Sequence, residues 1–142
     1  MFYAILAYHV EDAIKALTPQ EDAALMAELL KINTQLHEAG TLGPSARLGA
    51  TQDAVTLRGP GDGVVIDGPF AETKELIAGY WMWQVRSMEE AVEWLKRCPN
   101  PMPGESEVEI RPVYEMTDFG ENFTPEAREK EERLRKNIAA KK

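Results

Sequence analysis

Residues 67–75, with the sequence DGPFAETKE, hold the side chains that are best suited to acid–base chemistry. Asp67, Glu72 and Glu75 supply carboxylates in this short segment, and Lys74 supplies an amine. A carboxylate that lies beside a lysine and is partly withdrawn from water has a shifted pKa, and such groups are the usual general acids and bases. One hypothesis is that Asp67 or Glu72 is a general base that acts beside Lys74.

The same segment has two other interpretations. Asp67 accepts backbone N–H bonds in many turns, Gly68 permits unusual φ values, and Pro69 fixes its own φ. Under this interpretation the segment is a turn, and Phe70 anchors it in a small core beneath the neighbouring strands. The third interpretation is a charged surface that recognises a protein partner. The residues alone leave all three open.

Three further residues have reactive side chains. His9 is a candidate proton carrier, because an imidazole titrates near neutral pH, although a histidine at a strand end is often only hydrogen-bonded or solvated. His37, in LHEAG, is expected at a helix C-terminus, where the helix dipole favours its charged form. Cys98 also lies near a predicted helix C-terminus and lacks the N-terminal dipole that lowers a thiol pKa. We therefore do not expect Cys98 to be a nucleophile.

The motifs of metal and cofactor sites are missing from this sequence. A single cysteine provides neither a disulfide framework nor the CxxC or Cys/His spacing of a zinc site. The glycines of GPGDG, residues 59–63, precede no lysine and no helix, which indicates a hairpin turn and not a phosphate loop. We predict no metal and no cofactor.

Composition restricts the class of protein. The 142 residues, 44% of them hydrophobic, suit one ordinary domain with a sizeable core. The net charge of −8 repels a phosphate backbone, so nucleic-acid binding is not expected. There is no apolar run long enough for a membrane helix, and the start lacks the pattern of a secretion signal. We predict a cytoplasmic protein without membrane attachment.

Hydrophobic periodicity predicts the order strand, helix, strand, inserted hairpin, strand, helix, strand. The first helix begins at Thr18-Pro19 with a capping box to Glu21, and Ser87 opens the second. The predicted elements are the strand 2–8, the helix 19–39, the strand region 41–48, the hairpin around residues 59–63, the strand 78–85, the helix ending at Cys98-Pro99 and the strand 107–115.

Two right-handed crossovers in this order predict an α+β, ferredoxin-like split βαββαβ fold with an inserted β-hairpin and a C-terminal helix. Both helices would cover one face of an antiparallel sheet. We expect Tyr3, Ile5, Trp81 and Trp83 on the uncovered face, where apolar side chains of this size indicate an interface. A back-to-back homodimer that forms a dimeric α/β barrel would bury them.

The same topology predicts which candidates meet. The first strand ends where the third and fourth begin, so Tyr8 and His9 should share this upper end of the sheet with residues 67–75. A small-molecule pocket between sheet and helices would lie there. The candidate catalytic residues are His9, Asp67, Glu72 and Lys74, and the candidate ligand contacts are Tyr8, Phe70 and Glu75.

The C-terminal residues 119–142 form a charged extension outside the predicted domain of residues 1–118. Pairs such as Glu126 with Lys130 and Glu131 with Arg135 place an acid four residues before a base, which stabilises a helix. We predict a helix that packs lightly on a dimer partner or projects into solvent.

The block DGPFAETKE, the strand GYWMWQV with the helix ending EWLKRCP, and the strand EVEIRPVYE resemble the DGPF branch of the YCII-related proteins. The resemblance covers about residues 1–116. It implies a dimeric α/β barrel of ferredoxin-like protomers. It also implies a regulatory setting, because some members are encoded beside sigma factors of the extracytoplasmic-function type.

On catalysis the chain departs from this family. The resemblance implies a His–Asp dyad for the YCII branch proper, but the histidine's place holds Leu29 and the aspartate's place falls at or near Cys98. His37 lies two turns beyond the implied position and does not take the role. Whether the protein is an enzyme stays open. The two hypotheses are a small-molecule binder, with or without acid–base chemistry, and a non-catalytic dimeric interaction or regulatory module.

Overall fold

Strand β1 (Phe2–Val10) is a central strand of the first of the two units, Met1–Pro112 and Val113–Lys142, into which the chain divides. The structure is a computed structural model that describes residues 1–10, 15–59, 63–69, 75–99 and 107–141, with the backbone alone at residues 9, 10 and 75. After β1 the elements of the first unit are helix α1 (Pro19–Glu38), β2 (Leu42–Arg47), β3 (Val55–Arg58), β4 (Val64–Asp67), β5 (Glu75–Gln84), helix α2 (Met88–Arg97) and β6 (Glu107–Pro112).

Four of these strands form an antiparallel sheet in the order β2–β5–β1–β6. This order is that of a ferredoxin-like split βαββαβ fold, so the predicted α+β class is confirmed. β3 and β4 form the inserted hairpin, a separate two-stranded sheet in which Val55 pairs with Asp67 and Arg58 with Val64. Pro112 ends β6 at the sheet edge, where a missing N–H donor is tolerated.

Both helices begin at the predicted caps. The Thr18 hydroxyl accepts a hydrogen bond from Glu21 N at 3.2 Å, and the Glu21 carboxylate accepts from Thr18 N at 2.8 Å, which completes the capping box. Ser87 Oγ accepts from Glu90 N at 3.2 Å. These hydrogen bonds satisfy N–H groups that the first turn of a helix leaves without partners. Gly40, with φ of 71°, follows the end of α1, as predicted.

The prediction for the tryptophans is wrong. Trp81, Trp83, Tyr3 and Ile5 do not lie on an uncovered face but form the core beneath the helices, and Trp83 and Ile5 are fully buried. Their partners in this core include Ile32 and Leu36 of α1 and Ala91 of α2. Strand alternation places these four side chains on one face together, but it does not say which face the helices cover.

The other sheet face, which we call the open face, carries the alternate residues of the same strands. In β1 and β5 the register pairs Leu6 with Tyr80, Ala4 with Met82 and Phe2 with Gln84. Phe2 and Tyr80 are more than a third exposed, so this apolar centre has no cover within the described residues of the unit. β6 adds charged groups beside it, among them Glu109 and Arg111.

The second unit consists of a 3₁₀ segment (Met116–Asn122) and helix α3 (Pro125–Ala140), which confirms the predicted C-terminal helix. Arg128 of α3 connects the helix to the 3₁₀ segment and the residue after it, because it donates to the carbonyl oxygens of Phe123 at 3.0 Å and Gly120 at 3.1 Å. The predicted ion pair of Glu131 and Arg135 forms at 2.9 Å. None of the helices in the described ranges of the chain is long and apolar enough to cross a membrane.

Candidate functional site

A cleft of about 270 Å³ lies between helix α1 and the sheet. Its described lining comes from β1, the segment before α1, residues 25–33 of α1, β2 and β5. Apolar side chains make most of this lining, and the polar side chains in it are those of Asn33, Ser45 and Arg47, since strand alternation places the Tyr80 side chain on the open face. Small-molecule sites are concave, largely apolar and roughly 300 to 1,000 Å³ in volume, so this cleft, slightly smaller than that range, has room only for a compact ligand.

The cleft is open because the sheet carries small residues where α1 crosses it. Ala7 and Gly79 are register partners that line the cleft, whereas the next partners on the same face, Ile5 and Trp81, are large. Ala78 is the extra residue of a β-bulge and is buried in the cleft floor. These small residues leave a space that no side chain of the described residues fills.

Gly79 is required by the approach of β2. A Cβ at this position would lie 2.7 Å from the Ala46 carbonyl oxygen and 3.4 Å from Arg47 Cα, both of which are backbone atoms. No larger residue fits unless the strands move apart. The pairing of β2 with β5 therefore keeps this part of the floor free of a side chain.

The helix side of the cleft is a group of apolar side chains that α1 does not bury. Ile32 and Leu36, in the second half of the helix, are at most 4% exposed, but Met26 is 45% and Leu30 68% exposed. Leu29 packs partly against the core and also lines the cleft. α1 thus packs closely on the sheet through Ile32 and Leu36 and leaves an apolar gap beside Leu25, Met26 and Leu29.

Trp81 fixes the orientation of one polar group in the lining. Its indole Nε1 donates to Asn33 Oδ1 at 3.1 Å, and since an indole can only donate, Asn33 must present its oxygen to the tryptophan. The Asn33 Nδ2 group is then a hydrogen-bond donor toward its other surroundings. Ser45 is the register partner of Trp81 on β2, so its hydroxyl lies in the same region.

Arg47 lies at the exposed rim of the cleft and reaches from β2 to α1. Its Nη1 atom is 3.6 Å from an Asp22 carboxylate oxygen and 3.7 Å from Met26 Sδ. The side chains of Arg47 and Asp22 are 53% and 44% exposed, so water screens their attraction and the pair contributes little to stability.

The predicted meeting of strand ends is confirmed in the backbone. Val10 pairs with Glu75, His9 with Leu76 and Tyr8 with Glu107, so β1 ends where β5 and β6 begin. The side chains of His9 and Glu75 lie outside the described part of the structure. So do Phe70, Glu72 and Lys74, and the roles proposed for these residues stay predictions.

Asp67 lies in the inserted hairpin, as the last residue of β4, with an exposed side chain. The turn that follows it is ordered by Gly68, whose φ is 113° and whose N–H donates to Ala54 O at 2.7 Å. Thr56 Oγ1 in turn donates to Gly68 O at 2.8 Å. These bonds fit the interpretation of the first residues of DGPFAETKE as a turn. Asp67 is not among the described residues that line the cleft.

Tyr8 lies on the open face, opposite the cleft, as the hydrogen bond of its hydroxyl shows. This hydroxyl donates to Glu109 Oε2 at 3.1 Å, and Glu109 also accepts from Arg111 Nε. The hydrogen bond to Glu109 raises the pKa of Tyr8. The bonds from Arg111 and then from Tyr8 lower the pKa of Glu109. Tyr8, Glu109 and Arg111 thus form a charged, hydrogen-bonded cluster beside the apolar centre of the open face.

Cys98 follows α2 and packs against the core. Its Sγ lies 3.5 Å from the Trp94 carbonyl oxygen. Burial raises the pKa of the Cys98 thiol from 9.0 to about 11, which the nearby Arg97 only partly opposes. Such a thiol is a poor nucleophile at neutral pH. Across the described ranges of the chain, no three His, Cys, Asp or Glu side chains are grouped to hold a metal ion.

Sequence reasoning predicted a pocket between sheet and helices but missed the residues that line this cleft. The signal was present as small residues, Ala7 in one strand and Ala78-Gly79 in another, between large apolar neighbours. A second signal was the adjacent apolar pairs Leu25-Met26 and Leu29-Leu30, which are more than one buried helix face requires. Neither signal points to a cleft until the register brings the small residues together under the helix.

The fold and the cleft define a ferredoxin-like α+β protein with an apolar cleft under its first helix. Comparison with known proteins identifies the family of this chain. The YCII-related domain matches residues 1–117. An uncharacterised protein of Rhizobium meliloti is 40% identical over 114 residues, which are 80% of this chain and 92% of that protein. The chain therefore belongs to the YCII-related family.

The raised pKa of Cys98 predicts a slow thiol. At pH 8 we expect iodoacetamide to alkylate native Cys98 about a hundredfold more slowly than the urea-unfolded chain, because two pKa units remove that much thiolate. Mass spectrometry of the alkylated protein over time measures both rates. Equal rates in the native and unfolded chains would show that burial does not control this thiol.

Proposed function

We propose that the protein binds a small, largely apolar molecule in the cleft between α1 and the sheet. The observation that carries this proposal is the cleft of about 270 Å³ with apolar walls. A ligand that covers exposed apolar side chains gains roughly 25 cal/mol of binding free energy for each Å² of apolar surface that it removes from water. The exposed Met26 and Leu30 at the edge of the cleft are the groups that gain most from such a ligand.

Binding is favoured over catalysis by the residues of the cleft. Leu29, at the place of the histidine that the family resemblance implies, is an apolar lining residue. The described lining contains no Asp, Glu, Lys or His. Acid–base chemistry by His9, Asp67, Glu72 and Lys74 has no support from this lining and stays a prediction from the sequence. We also infer, from DGPF at residues 67–70, that the chain belongs to the DGPF branch.

The proposal predicts that filling the floor of the cleft abolishes binding. The neutral dye N-phenylnaphthylamine, whose fluorescence rises in apolar surroundings, is a suitable probe because it needs no charged partner. Ala7→Leu and Ala78→Leu each extend a side chain into the cleft. Each is expected to weaken dye binding at least about tenfold, because the dye or the wall must shift at a cost of roughly 1 to 3 kcal/mol.

Ala24→Leu is the matched control, since Ala24 is an exposed residue of α1 that lies outside the described cleft lining and outside the open face. This variant should bind the dye as the unchanged protein does. Thermal unfolding of each variant, followed by circular dichroism, separates loss of binding from loss of fold. Failure of the unchanged protein to bind the dye, or undiminished binding by both floor variants, would contradict the proposal.

A second candidate function, a dimeric interaction or regulatory module, is favoured by the open face. Phe2, Leu6, Tyr80 and Met82 give this face an apolar centre, and an exposed apolar sheet face usually marks an interface. Glu109 beside this centre and its neighbour Arg111 have opposite charges, which suits two-fold pairing of a face with its own copy. We therefore propose a homodimer through the open face. Sigma-factor association stays a hypothesis from the resemblance alone.

Met82→Lys tests this dimer. In a two-fold pairing each interface gains two lysines, and like charges in close contact oppose association by several kcal/mol. We expect sedimentation velocity to show a dimer for the unchanged protein and a folded monomer for Met82→Lys.

Two control variants accompany this measurement. Val64→Lys introduces the same charge in the separate hairpin and should leave the dimer intact. Trp83→Lys, one residue along β5 but on the buried face, should prevent folding because it buries an unpaired charge. A monomeric unchanged protein, or a dimer that tolerates Met82→Lys, would exclude the open face as the interface.

A further inference from the structure

The polar groups in the described lining of the cleft indicate the chemistry of its ligand, provided that the proposed binding function holds. The apolar walls require a ligand with an apolar body. Around them, Asn33, Ser45 and Arg47 can each donate hydrogen bonds, and no carboxylate occurs among the lining residues that the structure describes. A lining with several donors and no acid matches an acceptor-rich ligand head.

A contact within the protein decides which atom of Asn33 can donate to a ligand, and the guanidinium of Arg47 can only donate. The indole of Trp81 occupies Asn33 Oδ1 at 3.1 Å, so Nδ2 is the part of this amide that can serve a ligand. Arg47 cannot lose its proton at physiological pH and presents only donors. Ser45, the register partner of Trp81, adds a hydroxyl nearby.

Arg47 selects the charge of the ligand head. It lines the cleft at its rim, and its partner there is Asp22, a carboxylate at 3.6 Å in an exposed pair. Asp22 itself is not among the described lining residues. A ligand carboxylate can take the place of the Asp22 carboxylate and gain two parallel hydrogen bonds from the planar guanidinium.

The net charge of −8 does not prevent this recognition. At physiological ionic strength, charges more than about 8 Å away are largely screened, so the group in direct contact with the ligand decides. Arg47 is the one cation in the described lining, which suits a head with a single charge better than a phosphate dianion.

We propose that the cleft takes a monocarboxylic acid with a compact apolar body, whose carboxylate replaces Asp22 as the partner of Arg47. The apolar body lies between Leu25, Met26 and Leu29 of α1 and the small residues of the sheet. Asn33 and Ser45 donate hydrogen bonds to polar atoms that the ligand carries besides its carboxylate.

Competition with bound N-phenylnaphthylamine tests this ligand class. Octanoate and octanamide have the same chain and differ in the charge of the head. At pH 7.5 we expect octanoate to displace the dye about tenfold more effectively, which is the lower end of what a hydrogen bond to a charged group supplies. Arg47→Gln should remove this advantage and leave octanamide unchanged.

Two further variants make the test specific. Asp22→Asn removes the competing carboxylate and should make octanoate severalfold more effective, again without change for octanamide. Arg58→Gln removes one positive charge in the separate hairpin and should change neither competitor. Equal displacement by the two compounds, or an equal response of both to Arg47→Gln, would overturn the carboxylate proposal while dye binding stands. Absence of dye binding itself would instead contradict the proposed function.

Discussion

The contrast in side-chain size along the helix-facing side of β1 and β5 is the constraint on which the rest of the first unit depends. In one half of the sheet, Ile5, Trp81 and Trp83 fill the space beneath α1, and Ile32 and Leu36 of the helix close over them. In the other half, Ala7 and Gly79 occupy equivalent register positions and fill almost none of it. A helix is straight over this distance, so α1 cannot bend toward the sheet where the sheet's side chains become small. The packing of Ile32 and Leu36 on the large side chains thereby keeps α1 away from Ala7 and Gly79, and the cleft lies between them.

Much of the fold could be predicted from the sequence because it depends on local rules. The capping residues Thr18 and Ser87 and the glycine-rich hairpin turn each act over a few positions. The order of the elements then leaves few topologies. The face that the helices cover is a different kind of information. Alternation groups Trp81 with Trp83, but only tertiary packing decides that the pair is core and that Tyr80 and Met82 are on the open face.

The candidate site was harder to predict than the fold because small residues, and not reactive ones, create its space. Charged and aromatic residues such as those of DGPFAETKE attract notice in a sequence, whereas Ala7, Ala78 and Gly79 do not. Their joint effect requires the antiparallel register and the bulge at Ala78, which bring distant positions together. Arg47 was equally hard to find, since its place at the cleft follows from the pairing of β2 with β5. Leu29, by contrast, could be singled out from the family resemblance, and its apolar character agrees with its position in the cleft.

The central claim is that the gap beneath α1 is an apolar space that accepts a ligand. The most direct measurement is a crystal structure of the protein under xenon pressure, because xenon enters apolar cavities and has strong scattering. The account predicts xenon between α1 and the sheet, in contact with Leu29 and Ala7. A crystal structure in which the side chains of Leu25, Met26 and Leu29 have closed onto the sheet, with no xenon bound there, would contradict it.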